Sequence, residues 1–493
     1  MVDMKTVQRW KLIVVMVGAM IVATGTEASP ATDVLKRASE AMGANALNTL
    51  RYSDAGTGYT FGQSYTPGTA WPKITIHAQT RTIDYGTGSM RDEITLSRAE
   101  PRGGGGYPPV AQQKNEQFIS GTFAWNQTAG GPVAGPRFVN DRIHQLWITP
   151  HGAIKAALRN KATLVGGGAN GRGPAMVAFT EPGRFVASVF INADNLVERI
   201  ESRFPDPVMG ETTVLTRYLD YKRHGPIMFP SRVEQSAGGF PVVEVTVSDV
   251  QPNVTAGLSV PDAVRNAVEN VAVERVADGV WFLGGGSHNS IAIEMSDYMI
   301  VVESPLNDGR AVPMFEQALK LGSGKPIRYL INSHQHFDHS GGVRMAAALG
   351  TTIVTHAGNV GWYEKTFAVA NSIAPDTFAR TGRKPRFVGV DDKLVITDDA
   401  RSVEMYPFVG SAHNDAFLMV YLPKERLLVE ADAFTPGPAI SSPNTSAPPN
   451  PNHVNLIENI ERLKLAVDKI LPLHGRVVGV DQLYMAVGKP SPR

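Results

Sequence analysis

The chain has 493 residues, 47 Lys+Arg against 46 Asp+Glu, 12 His and no Cys. The absence of Cys excludes disulfides, a thiol nucleophile, Cys-ligated zinc and iron–sulfur clusters, so any metal must be held by His, Asp or Glu. A formal net charge of +1 gives no electrostatic reason to expect a nucleic-acid or anionic-membrane partner, and the length accommodates two or three domains.

Lys5, Arg9 and Lys11 precede the apolar run Leu12 to Ala23, and Thr26-Glu27-Ala28 ends in a small residue before Ser29-Pro30. This is the layout of a cleaved secretory signal over residues 1–28. The run of 12 apolar residues falls short of the roughly 20 that cross a bilayer. Removing three bases and two acids with the signal leaves 44 of each. The expectation is a periplasmic or secreted protein with no stable membrane span.

Residues 29–265 read as a mainly β domain. An opening helix, Ala31 to Met42, places Val34, Leu35, Ala38 and Met42 near helical spacing. Short apolar or alternating runs then recur between turn residues, as in Ile74 to His77, Phe185 to Ile191, Met228-Phe229 and Val242 to Val247. Their spacing predicts a large antiparallel sheet. Gly103 to Gly106 and Gly166 to Gly168 read as exposed loops, and His151 to Asn160 as a helical insert. With Ala41-Met42-Gly43, Arg217 to Tyr221 (RYLDY) and Met228 to Arg232 (MFPSR), this half resembles periplasmic lipoprotein-carrier-like β domains. That resemblance implies a curved sheet around an apolar cavity, able to hold an apolar substrate or lipid.

Ala263 to Val276 is a boundary, and residues 270–493 follow another pattern. Val280 to Leu283, Ser290 to Met295 and Met299 to Val302 read as successive strands, and Val312 to Leu321 as a helix. Ile327 to Ile331 reads as a buried strand running into Asn332-Ser333-His334. Strand–helix alternation continues to the end, which predicts an α/β layered domain.

The chemistry concentrates in Ser333-His334-Gln335-His336-Phe337-Asp338-His339-Ser340-Gly341-Gly342. In an extended segment residues i and i+2 point the same way, so His334 and His336 can reach one metal. Asp338 and His339 follow a change of direction, for which Gly341 and Gly342 supply backbone freedom, and suit a second metal nearby. Three further donors stand near strand ends, where α/β sites collect. They are His413 before Phe417 to Leu422, Asp432 after Arg426 to Glu430, and His474 after Ile470 to Leu473.

These motifs, HQHFDHSGG at 334–342, SAHND around His413, the EAD triplet ending at Asp432 and PLHG ending at Gly475, resemble the metallo-β-lactamase-fold hydrolase superfamily. The resemblance covers about residues 273–487. It implies an αββα sandwich with two divalent metal ions at one edge of its paired sheets. By position, His334, His336 and His413 would hold one metal; Asp338, His339 and His474 the other; Asp432 would bridge them. A water shared by two cations would supply hydroxide at neutral pH, with Asp338 as a candidate for proton transfer. Nitrogen and oxygen donors point first to zinc, with iron or manganese as alternatives.

An acidic residue at the bridging position resembles the members that cleave thioesters, lactones, phosphodiesters or sulfate esters, rather than dedicated β-lactamases. Neutral charge and export disfavour the nucleases. For substrate contacts the sequence offers Asn289, in Ser287-His288-Asn289-Ser290, then Trp362 and Tyr363, and a Pro-rich loop from Thr435 to Asn452 closed by His453. His356 reads as a structural strand-end residue, and His77, His144, His151 and His224 show no ligand spacing. The expected protein is therefore an exported binuclear metal hydrolase cleaving an ester, lactone or amide in a small or apolar substrate. The alternatives are activity on β-lactams, or a non-catalytic periplasmic carrier for an apolar ligand.

Overall fold

The computed structural model describes residues 30–100, 102, 111–167, 173–443 and 448–490. The candidate signal segment, the loop at 103–106, Gly168 and residues 444–447 of the Pro-rich loop lie outside these.

Among the described residues the N-terminal half is built on one 13-stranded antiparallel sheet. The strand Thr49–Tyr59 pairs on one side with Lys73–Asp84 and on the other with Phe240–Pro252, so an early and a late meander join at the centre of the sheet. Strand periodicity is plain in Phe185–Ile191, where Phe185, Ala187, Val189 and Ile191 are buried and the residues between them are half-buried. The helices Pro30–Met42 and Pro150–Arg159 supply Val34, Leu35, Ala38, Met42, Ile154 and Ala157 to a core shared with Val177, Val189 and Phe229 of the sheet. A cavity of about 80 Å³ in this domain is lined by polar groups, among them Asp54, Gln79, Arg81, Gln145 and Gln235, and by apolar ones, among them Ile148, Phe229, Val233, Val243 and Val245. Its lining is mixed, because Asp54, Arg81 and the glutamines face inward from strands and a helix whose facing direction the sequence does not reveal.

The C-terminal half has four layers. A seven-stranded sheet runs in order through Ala272–Ala277, Val280–Gly284, Ser290–Glu294, Met299–Val302, Ile327–Ile331, Thr352–His356 and Arg386–Val390. Its first four strands pair antiparallel and the rest parallel. A six-stranded sheet runs through Leu394–Thr397, Ser402–Pro407, Leu418–Leu422, Leu427–Glu430, Lys469–Pro472 and Val478–Gly479. Alternation divides each strand between two cores. Ile291, Ile293, Ile300 and Val302 join Met405, Met419 and Val429 between the sheets. Ala292, Met299 and Val301 turn the other way, against Ala311, Met314, Phe315 and Ala346 of the helices. The helices Pro451–Arg462 and Val480–Ala486 form the fourth layer, with Leu456, Ile457 and Leu483 buried. This is the αββα sandwich expected from the sequence, preceded by the mainly antiparallel β domain.

The helix Asp308–Leu321 begins four residues before the sequence window, because the Asn307 side chain caps it by accepting from the Arg310 backbone N–H at 3.2 Å. One feature of the N-terminal domain positions the site. Residues 60–72, between its first two strands, leave the sheet and lie against 335–338 and 411–415 of the sandwich. The Phe337 N–H donates to Gly62 O at 3.1 Å, Asp415 N–H donates to Tyr65 O at 3.1 Å, and the Tyr65 hydroxyl donates to Ser411 O at 2.9 Å. Phe61 and Trp71 pack edge-on against Phe337 at ring separations of 5.2 and 5.8 Å.

Candidate metal centre

The strand Ile327–Ile331 ends three residues before His334, and the short helix Phe337–Ser340 carries Asp338 and His339. His413 stands before Leu418–Leu422, Asp432 after Leu427–Glu430 and His474 after Lys469–Pro472. The fold brings all seven to one edge of the paired sheets. Donor atoms of His334, His336 and His413 lie within 4.8 Å of one another. Those of Asp338, His339 and His474 do the same, joined by His288, and His334, His339 and Asp432 form a third such group. Asp432 faces both clusters. Its Oδ2 lies 2.7 Å from His339 Nε2, 3.5 Å from His334 Nε2 and 3.6 Å from His413 Nε2, and its Oδ1 lies 3.4 Å from His474 Nε2.

These groups fit divalent cations. The Nε2 atoms of His334 and His413 face each other at 3.0 Å, as do those of His339 and His474. Donors bound to one ion at about 2.1 Å and roughly 90–110° apart stand about 3.0–3.4 Å from each other. His336 Nδ1 is buried with no hydrogen-bond partner, a state that costs about 1–3 kcal/mol unless something else satisfies it.

The other ring nitrogens are tied down, which sets the tautomers. His339 Nδ1 pairs with the Glu303 carboxylate at 3.2 Å, His474 Nδ1 with Ser287 O at 2.9 Å, and His334 Nδ1 with Ser333 Oγ at 2.9 Å. Glu303 is fully buried and also accepts from Asn332 Nδ2 at 2.9 Å and from the Ser333 hydroxyl. His336 Nε2 donates to Ser64 O at 2.9 Å, which leaves Nδ1 as its free donor. The same carbonyl accepts from Gln335 Nε2 at 3.0 Å and Asn414 Nδ2 at 3.2 Å, while Gln63 Nε2 donates to Asp338 Oδ1 at 2.6 Å. Two supports of the centre thus come from the N-terminal domain.

Burial governs the charges. It pushes His334 well below the ordinary imidazole pKa and His336 down to about 3, with neighbouring histidines adding to the effect, so both are neutral donors. At His339 burial opposes the charge, but Asp432 and Asp338 outweigh it and hold the ring well above its usual value. In return, and against burial, His339 holds both carboxyls well below the carboxylate range. Access is one-sided. The side chains of Asp338, Asp432 and His474 are 27%, 17% and 18% exposed, whereas His334, His339 and His413 are sealed.

The residues proposed as substrate contacts are placed differently. Tyr363 is 1% exposed, with its hydroxyl donating to Asn332 Oδ1 at 2.7 Å and its ring stacked on Phe387, so it belongs to the core and not to a cleft wall. Its helix, Ala357–Phe367, turns half-buried Trp362 toward Phe337 and Gly68 instead. Asn289 is buried, and its amide donates to Pro472 O at 3.2 Å and Gly475 O at 2.9 Å. It clamps the turn carrying His474 and presents nothing to a substrate. His453 packs edge-on against Phe434 and stands outside the donor clusters. The described part of the Pro-rich loop does pass the His474 turn, where Gly437 O accepts from Arg476 at 3.3 Å. His356 caps the helix that follows it by accepting from Gly358 N–H at 3.0 Å. Sequence reasoning missed His288, Glu303, Gln63 and Ser64. Only His288 carried a signal, as a histidine in a Gly/Ser-rich turn between two strands.

Residues 283–476 match the family model of the metallo-beta-lactamase superfamily. The C-terminal domain belongs to that superfamily. A curated relative, the 2,4-dinitroanisole O-demethylase subunit alpha of Nocardioides sp. (strain JS1661), is 27% identical over 172 residues, which are 34% of this chain and 48% of the relative. The chain thus spans about half the length of that relative. Among solved structures, a metallo-beta-lactamase from Hirschia baltica is 20% identical, with 45% of this chain and 99% of that one covered at a TM-score of 0.33. Rubredoxin oxygen:oxidoreductase from Desulfovibrio gigas is 17% identical, with 44% and 60% covered at a TM-score of 0.34. The metallo-beta-lactamase fold implies divalent metal ions, which the clustered His and Asp donors can hold, and membership suggests a metal-dependent hydrolase. Among the described residues no helix is long and apolar enough to cross a membrane.

Proposed function

We propose that the protein is an exported binuclear metal hydrolase that cleaves an ester, lactone or amide bond. The observation that carries this is Asp432, whose two oxygens face both donor clusters at 2.7–3.6 Å. His334, His336 and His413 would hold one ion, Asp338, His339 and His474 the other, with Asp432 between them; zinc is the first choice and iron or manganese the alternatives. Divalent ions in such a site supply Lewis acidity and an activated water at neutral pH. The chain's own groups orient the reaction. Gln63 holds Oδ1 of Asp338 at 2.6 Å, which fixes the direction in which the carboxylate can accept a water proton. The exposure of Asp338 and His474 supports entry of substrate from their side, beside the loop at 435–443.

The carrier alternative loses support because all seven predicted donors are present and come together in the donor clusters. The test is metal content together with a chromogenic panel of esters, lactones, amides, phosphodiesters and β-lactams. An aryl methyl ether is added because of the O-demethylase relative. Hydrolysis by the metal-loaded protein that disappears in Asp338→Ala supports the reading. A loaded protein inert on every ester, lactone and amide refutes it.

A further inference from the structure

We infer that His288 is an additional protein ligand in the Asp338–His339–His474 cluster, which makes that site richer in donors than its neighbour and selective for an ion of higher coordination number. This rests on the metal-centre reading above.

His288 lies in the turn between Val280–Gly284 and Ser290–Glu294. Its Nε2 stands 3.1 Å from Asp338 Oδ2, within the spacing of two donors on one ion. Its ring lies 4.3 Å from that of His474 and 5.4 Å from that of His339, tilted at 67° and 62°. Four donor atoms, from His288, Asp338, His339 and His474, share one 4.8 Å neighbourhood. The second nitrogen, Nδ1, is held by Ser287 Oγ at 2.8 Å, so Nε2 is directed at the cluster as in His334, His339 and His474.

The turn is braced for this role. Arg310, 2% exposed, donates from Nη2 to Leu283 O at 3.3 Å and His288 O at 3.5 Å. Gly285 lies flat on the guanidinium, where a Cβ would come within 2.0 Å of Arg310 Cζ. The buried cation and the bare backbone above it fix where the His288 carbonyl, and hence its ring, can be.

The two sites then differ in kind. His334, His336, His413 and the shared Asp432 offer four donors, the number that suits tetrahedral zinc. His288, Asp338, His339, His474 and Asp432 offer five, three nitrogens and two oxygens. That number suits a five- or six-coordinate ion such as manganese or iron(II).

The experiment strips the full-length protein of metal and titrates it with Co2+, Zn2+ and Mn2+. Calorimetry reads affinity and the Co2+ d–d spectrum reads coordination number. The variants are His288→Ala and His288→Gln; the second keeps a side-chain N–H to pair with Asp338 and guards against a packing defect. The expected result is two sites in the wild type, one with the weak d–d absorption of five- or six-coordinate Co2+. Both variants should lose at least about tenfold in affinity at that site only, its absorption should intensify toward four-coordinate values, and preference for Mn2+ over Zn2+ should fall. Full rescue of affinity and spectrum by His288→Gln overturns the inference, because a hydrogen-bonding role alone would survive in Gln. So do variants identical to wild type. A wild type that binds no divalent ion overturns this inference and the hydrolase reading together; one that binds two ions with the expected His288 effect yet cleaves nothing overturns the hydrolase reading alone.

Discussion

Gly62→Ala tests whether the N-terminal domain is part of the metal centre. Gly62 has φ +82°, where a side chain is strained, and a Cβ there would stand 2.5 Å from Phe337 Cγ and 2.6 Å from Cδ2. The left-handed backbone costs about 1–2 kcal/mol for a non-glycine residue and overpacking of this kind about 1–3 kcal/mol, so the sum is about 2–5 kcal/mol. Phe337 cannot swing aside cheaply, because Phe61 and Trp71 close on its ring and its N–H is bound to Gly62 O. It also sits between His336 and Asp338, so any shift moves both donors. If about 1.4 kcal/mol of the strain reaches them, metal affinity falls tenfold. Competition against a chromogenic chelator, beside thermal unfolding with and without metal, reads both effects. Gly68→Ala is the control. Its φ is +76°, but its Cβ would meet only the Trp362 indole, at 3.1 Å, so it should lose stability while keeping metal affinity. Wild-type affinity in Gly62→Ala would show that the two domains merely touch.

Three other substitutions probe the supports of the fold and the site. Gln63→Ala removes the donor to Asp338 Oδ1 and should weaken metal binding by about 10–100-fold, with the melting temperature of the stripped protein nearly unchanged. Glu303→Ala leaves Asn332 Nδ2, Ser333 Oγ and His339 Nδ1 without their shared acceptor; at about 1–3 kcal/mol each, denaturant unfolding should show a loss of 3 kcal/mol or more. Asp54 concerns the N-terminal domain. Burial raises its pKa to about 7, opposed by Arg81, with Asp92 adding to the rise. Between about pH 4 and 7 the folded chain keeps a proton that the unfolded chain has released, so stability falls as pH rises through that window, by up to about 4 kcal/mol. Asp54→Asn should therefore raise the melting temperature at pH 8 and change it little at pH 4. An equal effect at both would refute the assignment.

What the sequence determined by itself was the part whose geometry is local. His334, His336, Asp338 and His339 lie within six residues of one another, and strand alternation followed by a helical turn places them whatever surrounds them. The strands Met299–Val302 and Ile327–Ile331 were legible because their apolar runs are continuous and bounded by turn residues. His413, Asp432 and His474 were recoverable because each follows or precedes such a strand, at the end where these folds gather their sites. The tertiary structure alone decided the rest. His288 reaches Asp338 from 50 residues away because neighbouring strands pair, and nothing in a Gly/Ser-rich turn announces which sheet edge it will meet. Tyr363 and Trp362 are adjacent in sequence, yet helix rotation buries one and turns the other toward the Phe337 wall. Gln63 and Ser64 act across 275 and 272 residues, through a side-chain amide and a backbone carbonyl that have no sequence signature. Donor identity is a property of residues, and can be read along the chain. Donor orientation is set by hydrogen bonds between segments that meet only when two sheets and the loop between the first two strands of the N-terminal domain have packed together.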